Sequence, residues 1–253
     1  MSTDSSGNTP DDADVPELTA RITNSLQVRV QPVRHHWDHH RHPVHAINWF
    51  DTRSLWLYNL YNAIAAGSVE KVGGVPLFKG RWQETLYGQQ QDQRETLLLV
   101  RYPGAENFNR MLANRLFQIT SVLREIAVKH FSFGLSKATT VELTEWGGKD
   151  TQHYLVHHWT STDQSAADEE RERFHKAAMH LDVSVAFSAH IEYTLALKKA
   201  NTESTQVPCL MHQLLLLSHT DQSALRNCIA SESYKAALEL TDTSYIALMS
   251  RIA

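Results

Sequence analysis

The chain has 253 residues, a formal net charge of -4 at pH 7, 42% hydrophobic residues and 21% charged residues. This balance is typical of a globular protein and excludes a wholly disordered chain. The net negative charge predicts that the protein binds neither nucleic acid nor an anionic membrane surface. Two cysteines, Cys209 and Cys228, cannot build a disulfide framework. Because there is also no apolar run of about 18 residues and no signal pattern, we expect a cytoplasmic protein without a membrane partner.

The N-terminal part of the chain has an unusual composition. Residues 1–15 carry too few apolar side chains to offset the entropy of ordering, which predicts a disordered tail. Residues 16–42 form an N-terminal extension that contains most of a histidine-rich run, HHWDHHRHPVH at 35–45. Two pairs in this run have the i,i+4 spacing that would chelate a transition metal on a helix: His35 with His39, and His36 with His40. Adventitious metal binding is the favoured interpretation, and a lid over the mouth of a barrel is the alternative.

Residues 43–138 predict a β-α-β-β-α-β order. Apolar and alternating segments indicate strands at 44–50, 75–88, 96–102 and 131–138. An apolar-rich helix is expected at 53–67, ending at Gly67, and a second helical stretch at 105–130 in one or two pieces. This half of the chain is the first predicted lobe.

Residues 151–253 repeat the same order and form the second predicted lobe. Strands are expected at 153–160, 183–197, 207–219 and 244–252, with helices at 167–181 and 221–240. An offset of 109 residues aligns 46–88 with the second half without a gap and places Phe78 on Phe187. An offset of 117 aligns 96–117 and places Met111 on Cys228, the difference being absorbed by a longer central hairpin. The pattern predicts a tandem duplication of ferredoxin-like units.

Two of the predicted strands are apolar on both faces. TLLLV at 96–100 and LMHQLLLL at 210–217 therefore need a cover on each side. The helices of one unit cover only one face, so the sheet of the other unit is the natural cover for the second. The predicted fold class is α+β, with two facing antiparallel sheets.

Three segments of the first half resemble a known superfamily. HAINWFDTR, GGVPLFKGRWQETLYG and LLLVRYPGAENFNRML are similar to the dimeric α+β barrel superfamily. Residues 43–138 most resemble a small-domain family of mostly unknown function, marked by a hydrophobic strand, "RYP" and a helix with spaced aromatic residues. The second half has SHT in place of "RYP". The resemblance implies two units that close their sheets around a pocket. Members include cofactor-free monooxygenases, small isomerases and lactonases, and haem dismutases, peroxidases and aldoxime dehydratases, so the chemistry stays open.

The alternation of residues 78–87 suggests where a site could lie. The apolar set is expected to pack on helices, and the polar set to face a cavity between the lobes or, alternatively, solvent. The apolar set is Phe78, Gly80, Trp82, Glu84 and Leu86, and the polar set is Lys79, Arg81, Gln83, Thr85 and Tyr87. Aligned positions differ there, because His190 replaces Arg81 and Glu192 replaces Gln83. We therefore predict His190 as acid or base, Glu192 as its orienting group and Arg81 as the group that holds a developing oxyanion.

Further histidines lie on the strands of the second lobe. His157, His158 and His212 could join His190 to bind a metal or supply a general base. No metal-binding spacing supports a defined site, so no metal is predicted, and buried hydrogen-bonded histidines are the alternative. In the superfamily a helix supplies the axial histidine of haem, a role that His175 or His180 could fill.

These observations predict an enzyme that acts on a small hydrophobic or aromatic metabolite in the cavity between the lobes. Oxygenase, isomerase, cyclase and lyase reactions without an organic cofactor are the expected types. Phosphate-binding and dinucleotide motifs are absent from the sequence. A haem-dependent enzyme of the same fold is one alternative, and a non-catalytic binding or assembly module is another. The expected partner is a small hydrophobic molecule, and a homodimer is left open.

Overall fold

The computed structural model describes residues 42–89, 93–143, 152–196 and 212–252. The predicted tail at 1–15, the extension up to residue 41 and the histidine pairs at 35–40 lie outside the described residues. The first lobe consists of β1 (Val44–Thr52), α1 (Leu55–Lys71), β2 (Val75–Tyr87), β3 (Thr96–Tyr102), α2 (Ala105–Ala113), α3 (Arg115–Ala127) and β4 (Val128–Val141). The second consists of β5 (His153–Thr160), α4 (Gln164–His180), β6 (Ser184–Ala196), β7 (Gln213–His219), α5 (Gln222–Ala230), α6 (Glu232–Leu238) and β8 (Thr243–Arg251).

The eight strands close into one barrel in the order β1-β3-β2-β8-β5-β7-β6-β4. Every pair of neighbours is antiparallel. Each lobe contributes four strands in the ferredoxin-like order, and the lobes join where β2 pairs with β8 and β4 pairs with β6. This confirms the predicted fold class, with facing antiparallel sheets. Equivalent strands of the two lobes lie four places apart in the ring, so they stand on opposite sides of the barrel.

Local irregularities recur at equivalent positions of the two lobes. The register shifts between Pro76 and Phe78 in β2 and between Val185 and Phe187 in β6, positions related by the offset of 109. The second helical stretch of each lobe breaks at a residue whose side chain caps the next helix, Asn114 in lobe one and Ser231 in lobe two. These shared details are what a tandem duplication produces.

Two predicted helix limits differ from the structure. The helix expected to end at Gly67 continues to Lys71, because Gly67 takes a helical conformation and the left-handed turn is made by Gly73, with a φ of 74°. The helix expected at 221–240 is two helices, because Ser231 accepts a hydrogen bond from the backbone N–H of Tyr234 and starts a new one.

Side chains from both lobes fill the interior of the barrel. The rings of Phe78 from lobe one and Tyr154 from lobe two lie 4.8 Å apart between centroids. The equivalent pair with the lobes exchanged, His45 and Phe187, lies 5.3 Å apart. The buried cluster inside the barrel takes residues from seven strands, among them Ile47, Trp49, Leu97, Leu99, Val156, Ala189, Leu214, Leu216, Ala247 and Met249. The prediction of a ligand cavity between the lobes is therefore wrong, because the facing sheets pack their inner side chains against each other.

The six helices lie outside the barrel and cover the outer faces of the sheets. Each lobe has a separate core between its sheet and its helices. None of the described helices combines the length and the apolar character that a membrane-spanning helix needs.

Candidate functional site

A cavity of about 570 Å³ lies in lobe one, between the outer face of its sheet and helices α1, α2 and α3. Its lining is mostly apolar, with a few polar groups, which is the usual make-up of a small-molecule site of this size. The polar side chains in the lining are Asn48, Tyr58, Tyr61, Asn62, Glu70, Lys79, Tyr102, Ser121 and Arg124.

The floor of the cavity is a row of side chains across four strands. Asn48 in β1 pairs with Phe133 in β4 on one side and with Leu98 in β3 on the other, and Leu98 pairs in turn with Lys79 in β2. Neighbouring strands are about 4.8 Å apart, so the Cα atoms of Asn48 and Lys79 are about 10 Å apart, on either side of Leu98. One amide N–H of Asn48 donates to the Leu98 carbonyl at 3.3 Å. The second N–H can serve a ligand.

Two tyrosines of α1 stand on the helical wall. Tyr58 and Tyr61 project from the buried face of α1, and their rings lie 6.0 Å apart between centroids. The Tyr58 hydroxyl is buried and makes no hydrogen bond of normal geometry, although the Asn62 side chain lies near it. Burial raises the pKa of Tyr58, so this hydroxyl keeps its proton and can act as a donor.

Two cations line the cavity toward opposite edges of the sheet. The Arg124 guanidinium lies 4.7 Å from the centroid of the Phe131 ring, on the β4 side, and donates to the Glu125 carboxylate at 3.1 Å. Lys79 lies on the β2 side, with its Nζ 5.3 Å from the centroid of the Tyr58 ring. Burial, and then the charge of Arg81, lower the pKa of Lys79. Its amine is therefore unprotonated more often than that of an exposed lysine.

The equivalent space in lobe two is filled by large side chains. The Phe174 ring lies 5.0 Å from the Trp159 ring and 4.8 Å from the Tyr234 ring between centroids, and all three side chains are fully buried. His157 completes this cluster, with its ring 4.6 Å from that of Phe174. Lobe two therefore has a solid core where lobe one has a cavity.

The internal alignment identifies the substitutions behind this difference. Phe174 stands at the position of Ala65 on the first helix of the lobe, and Leu155 at the position of Ala46 on its first strand. On the floor, His157 stands at the position of Asn48 and Ser188 at that of Lys79, and both are fully buried. Phe174 and Leu155 add volume at these two positions, whereas Ala167 at the position of Tyr58 removes some.

Two of the predicted site histidines are buried but lie on opposite faces of β5. His157 faces the helices, with Nδ1 2.9 Å from the Tyr234 hydroxyl and Nε2 3.1 Å from the Ser244 hydroxyl. His157 therefore matches the alternative interpretation, a buried histidine whose two ring nitrogens both have hydrogen-bond partners. His158 faces the interior of the barrel against Trp49, with ring centroids 5.0 Å apart. The two rings therefore cannot share one site.

The three residues of the predicted catalytic arrangement do not meet either. His190 and Glu192 lie on the outer face of β6, where the charges of Asp168 and Arg171 from α4 act on His190. His190 Nδ1 lies 2.7 Å from the amide nitrogen of Gln213. Arg81 lies exposed on the outer face of β2, on the opposite side of the barrel. A shared site for Arg81 and His190 is therefore wrong, because equivalent positions of the two lobes point away from each other.

His212 is exposed, immediately before β7. It lies near His190, whose pKa it helps to lower after the larger effect of burial. Within the described residues, no group of three or more histidine, cysteine or acidic side chains is arranged to hold a metal ion.

The residues present do not fit haem held by a helix histidine. His175 and His180 lie on α4 of lobe two, and the space between that helix and its sheet is occupied by the Trp159, Phe174 and Tyr234 rings. His180 is exposed. The lobe-one cavity has the space, but its lining contains neither histidine nor cysteine.

Sequence reasoning missed Lys79 and Asn48 as site residues. It correctly separated Phe78 and Trp82 from Lys79 and Arg81, but assigned the two faces the wrong way round. The apolar set fills the barrel, and Lys79 faces the helices. The signal that could have found the site is the loss of volume in lobe one, visible as Ala65 aligned with Phe174.

Comparisons with known proteins agree with the architecture. No protein-family model matches the chain, and no curated protein sequence matches it significantly, so the closer likeness of residues 43–138 to a small-domain family stays a prediction. Among solved structures, an anthrone oxidase-like protein has a TM-score of 0.55 and 11% identity, over 86% of this chain and 94% of that one. A proposed monooxygenase from Fusobacterium nucleatum subsp. nucleatum has a TM-score of 0.53 and 9% identity, over 85% of this chain and 94% of that one. The chain therefore has the fold of the dimeric α+β barrel superfamily, with both units in a single polypeptide.

Proposed function

We propose that the protein is an enzyme that acts on a small hydrophobic or aromatic molecule bound in the lobe-one cavity. The observation that carries this proposal is the difference between the lobes. Lobe two fills its helix–sheet space with Phe174 and its neighbours, whereas lobe one keeps about 570 Å³ open and lines it with several polar groups. A cavity with a purely structural origin has no need of a lysine and an asparagine on its floor.

The chemistry that this lining supports is proton abstraction followed by reaction of the resulting anion. Lys79 is the candidate base, since its pKa is lowered by burial and by Arg81 and a base near its working pH is the most effective. It would remove a proton from an acidic C–H or O–H group of the substrate. The free amide N–H of Asn48 and the hydroxyl of Tyr58 are the donors available to the oxygen that becomes an enolate or phenolate.

The fate of the anion distinguishes the reaction types. In an oxygenase reaction, the anion gives electrons to O₂, so that a CH₂ group becomes a carbonyl, one oxygen atom is incorporated and the other leaves as water. In an isomerase reaction, the proton returns at a different carbon. The names of the two similar structures, anthrone oxidase-like and monooxygenase, make the oxygenase reaction the first to test.

The test measures O₂ uptake with anthrone as the probe substrate. Wild-type protein should consume O₂, and Lys79→Met should lower the rate by roughly 10²–10⁴-fold while calorimetry still detects ligand binding. Ala65→Phe, which copies lobe two, should abolish both binding and turnover. His190→Ala is the matched control and should change neither, because His190 lies on the other lobe.

Two results would contradict the proposal. Unchanged turnover in Lys79→Met would remove the lysine from the chemistry. Equal ligand binding by wild-type protein and Ala65→Phe would show that ligand does not enter this cavity. Binding to the cavity without turnover of anthrone or of a proton-exchange substrate would favour the alternative of a non-catalytic binding module.

A further inference from the structure

We propose that Lys79 forms an imine with hydrophobic or aromatic aldehydes that enter the lobe-one cavity. The inference rests on the proposed function in that it uses the same cavity, and it adds a covalent step and a substrate class.

The Lys79 amine is placed among apolar and aromatic groups rather than acids. Its Nζ lies over the Tyr58 ring, and its strand neighbour across the floor is Leu98. Among the side chains that the structure describes, no carboxylate forms an ion pair with it. Two exposed lysines differ in this respect: Lys176 and Lys235 pair with Glu172 and Glu232.

The charged and titratable groups around the cavity come from four elements, and the one from β3 is the buried Tyr102. Arg81 lies two residues along β2 on the same face, and its positive charge acts on the Lys79 amine. Tyr58, Tyr61 and Glu70 line the cavity from α1, and Arg124 lines it from α3. The contact with the Tyr58 ring favours the ammonium form, whereas burial and Arg81 favour the free amine. Desolvation together with a neighbouring cation is the arrangement that makes a lysine nucleophilic.

The imine step balances without a further reactant. The unprotonated Nζ attacks the carbonyl carbon, a C–N bond forms, and the carbonyl oxygen becomes the hydroxyl of a carbinolamine. That oxygen then leaves as water with the two protons that the amine gives up, and a C=N bond remains. The Tyr58 ring lies next to the amine, and its hydroxyl lines the same cavity and makes no hydrogen bond of normal geometry. It is the candidate donor to the departing oxygen.

The experiment traps the imine by reduction. The full chain is incubated at pH 7 with 2-naphthaldehyde and sodium cyanoborohydride, and alkylated lysines are located and quantified by peptide mass spectrometry. Two exposed lysines in the same protein, Lys71 and Lys137, serve as internal comparators. Each unit by which a lysine pKa falls raises its free-amine fraction about tenfold at this pH. Because burial lowers the pKa of Lys79, alkylation at Lys79 should be faster than at either comparator, by about tenfold for each unit of that lowering.

Two variants separate the cavity from the amine. Ala65→Phe keeps Lys79 but fills the cavity, and it should bring the rate at residue 79 down to that of Lys137. Lys79→Met should remove the fast phase of alkylation, whereas Lys137→Met, the matched control, should leave it unchanged. Thermal unfolding checks that each variant is folded.

A non-reactive analogue distinguishes failure of this inference from failure of the proposed function. Naphthalene-2-methanol has the shape of the aldehyde but cannot form an imine. Suppose that wild-type protein binds the analogue, that Ala65→Phe does not, and that Lys79 is alkylated no faster than Lys137. This result contradicts imine formation but supports ligand binding in the cavity. If the analogue does not bind to wild-type protein, both proposals fall.

Discussion

Replacing His158 with Phe should make the protein less sensitive to acid. The His158 ring lies inside the barrel, 3% exposed, against Trp49, and neither ring nitrogen has a hydrogen-bond partner. Burial lowers the pKa of His158 from 6.5 to about 3. Protonation inside the barrel would place an uncompensated charge among apolar side chains.

The direction of the effect follows from which state binds the proton. With a pKa of 6.5 in the unfolded chain and about 3 in the folded one, the unfolded state takes up the proton first as the pH falls. Stability is therefore fully present above pH 6.5 and is lost progressively between pH 6.5 and pH 3. The loss is about 1.4 kcal/mol for each pH unit, so between pH 7 and pH 5 this one residue costs the fold about 2 kcal/mol.

Urea unfolding at pH 7 and pH 5 measures this quantity. The drop in unfolding free energy between the two pH values should be smaller in His158→Phe than in wild-type protein by about 2 kcal/mol, since other titrating groups contribute equally to both. His153→Gln, an exposed histidine of the same strand, is the matched control and should leave the drop unchanged. The same drop in wild-type protein and His158→Phe would show that the His158 ring is not held neutral by the barrel.

Two further predictions concern the solid core of lobe two. His157→Phe should lower the unfolding free energy by about 1–3 kcal/mol in urea titrations, because the buried hydroxyls of Tyr234 and Ser244 each lose a partner; an unchanged midpoint would contradict this role. The Cys228 thiol should not react with a thiol reagent in the folded protein at pH 8, because it is fully buried and burial raises its pKa to about 11. Urea should expose it, and rapid labelling under native conditions would show that the lobe-two core opens.

The fold could be predicted because the two halves of the sequence repeat the same pattern of apolar residues. Phe78 and Phe187 fall at the same place in the alignment and at the same register shift in the structure. The strands with two apolar faces required a cover on both sides, and the second sheet supplies it, with Leu214 and Leu216 inside the barrel and Leu215 and Leu217 under the helices. Periodicity and repetition are strong signals because many residues contribute to each.

The site could not be predicted by the same reasoning. A period of two says which residues share a face of a strand, but it does not say which face lies inside a closed barrel. The alternation groups Lys79 with Arg81, but it does not show that Lys79 faces the helices rather than the space between the sheets. The predicted site also assumed that the facing sheets leave room between them, whereas Phe78, Phe187 and their neighbours fill that room.

The cavity exists because small side chains in lobe one leave space unfilled. Small side chains at scattered positions do not form a recognisable sequence motif. By itself, Ala65 is an ordinary buried helix residue. Only its alignment with Phe174 shows that lobe one has a small side chain where lobe two has a large one. In a symmetric dimer of identical units, such a substitution would fill both sites at once. Joining the units in one chain removes that constraint, so lobe two can become a solid core while lobe one keeps its cavity. The polar groups that matter should accordingly be sought where the small residues are, in lobe one, and not where the histidines are most numerous.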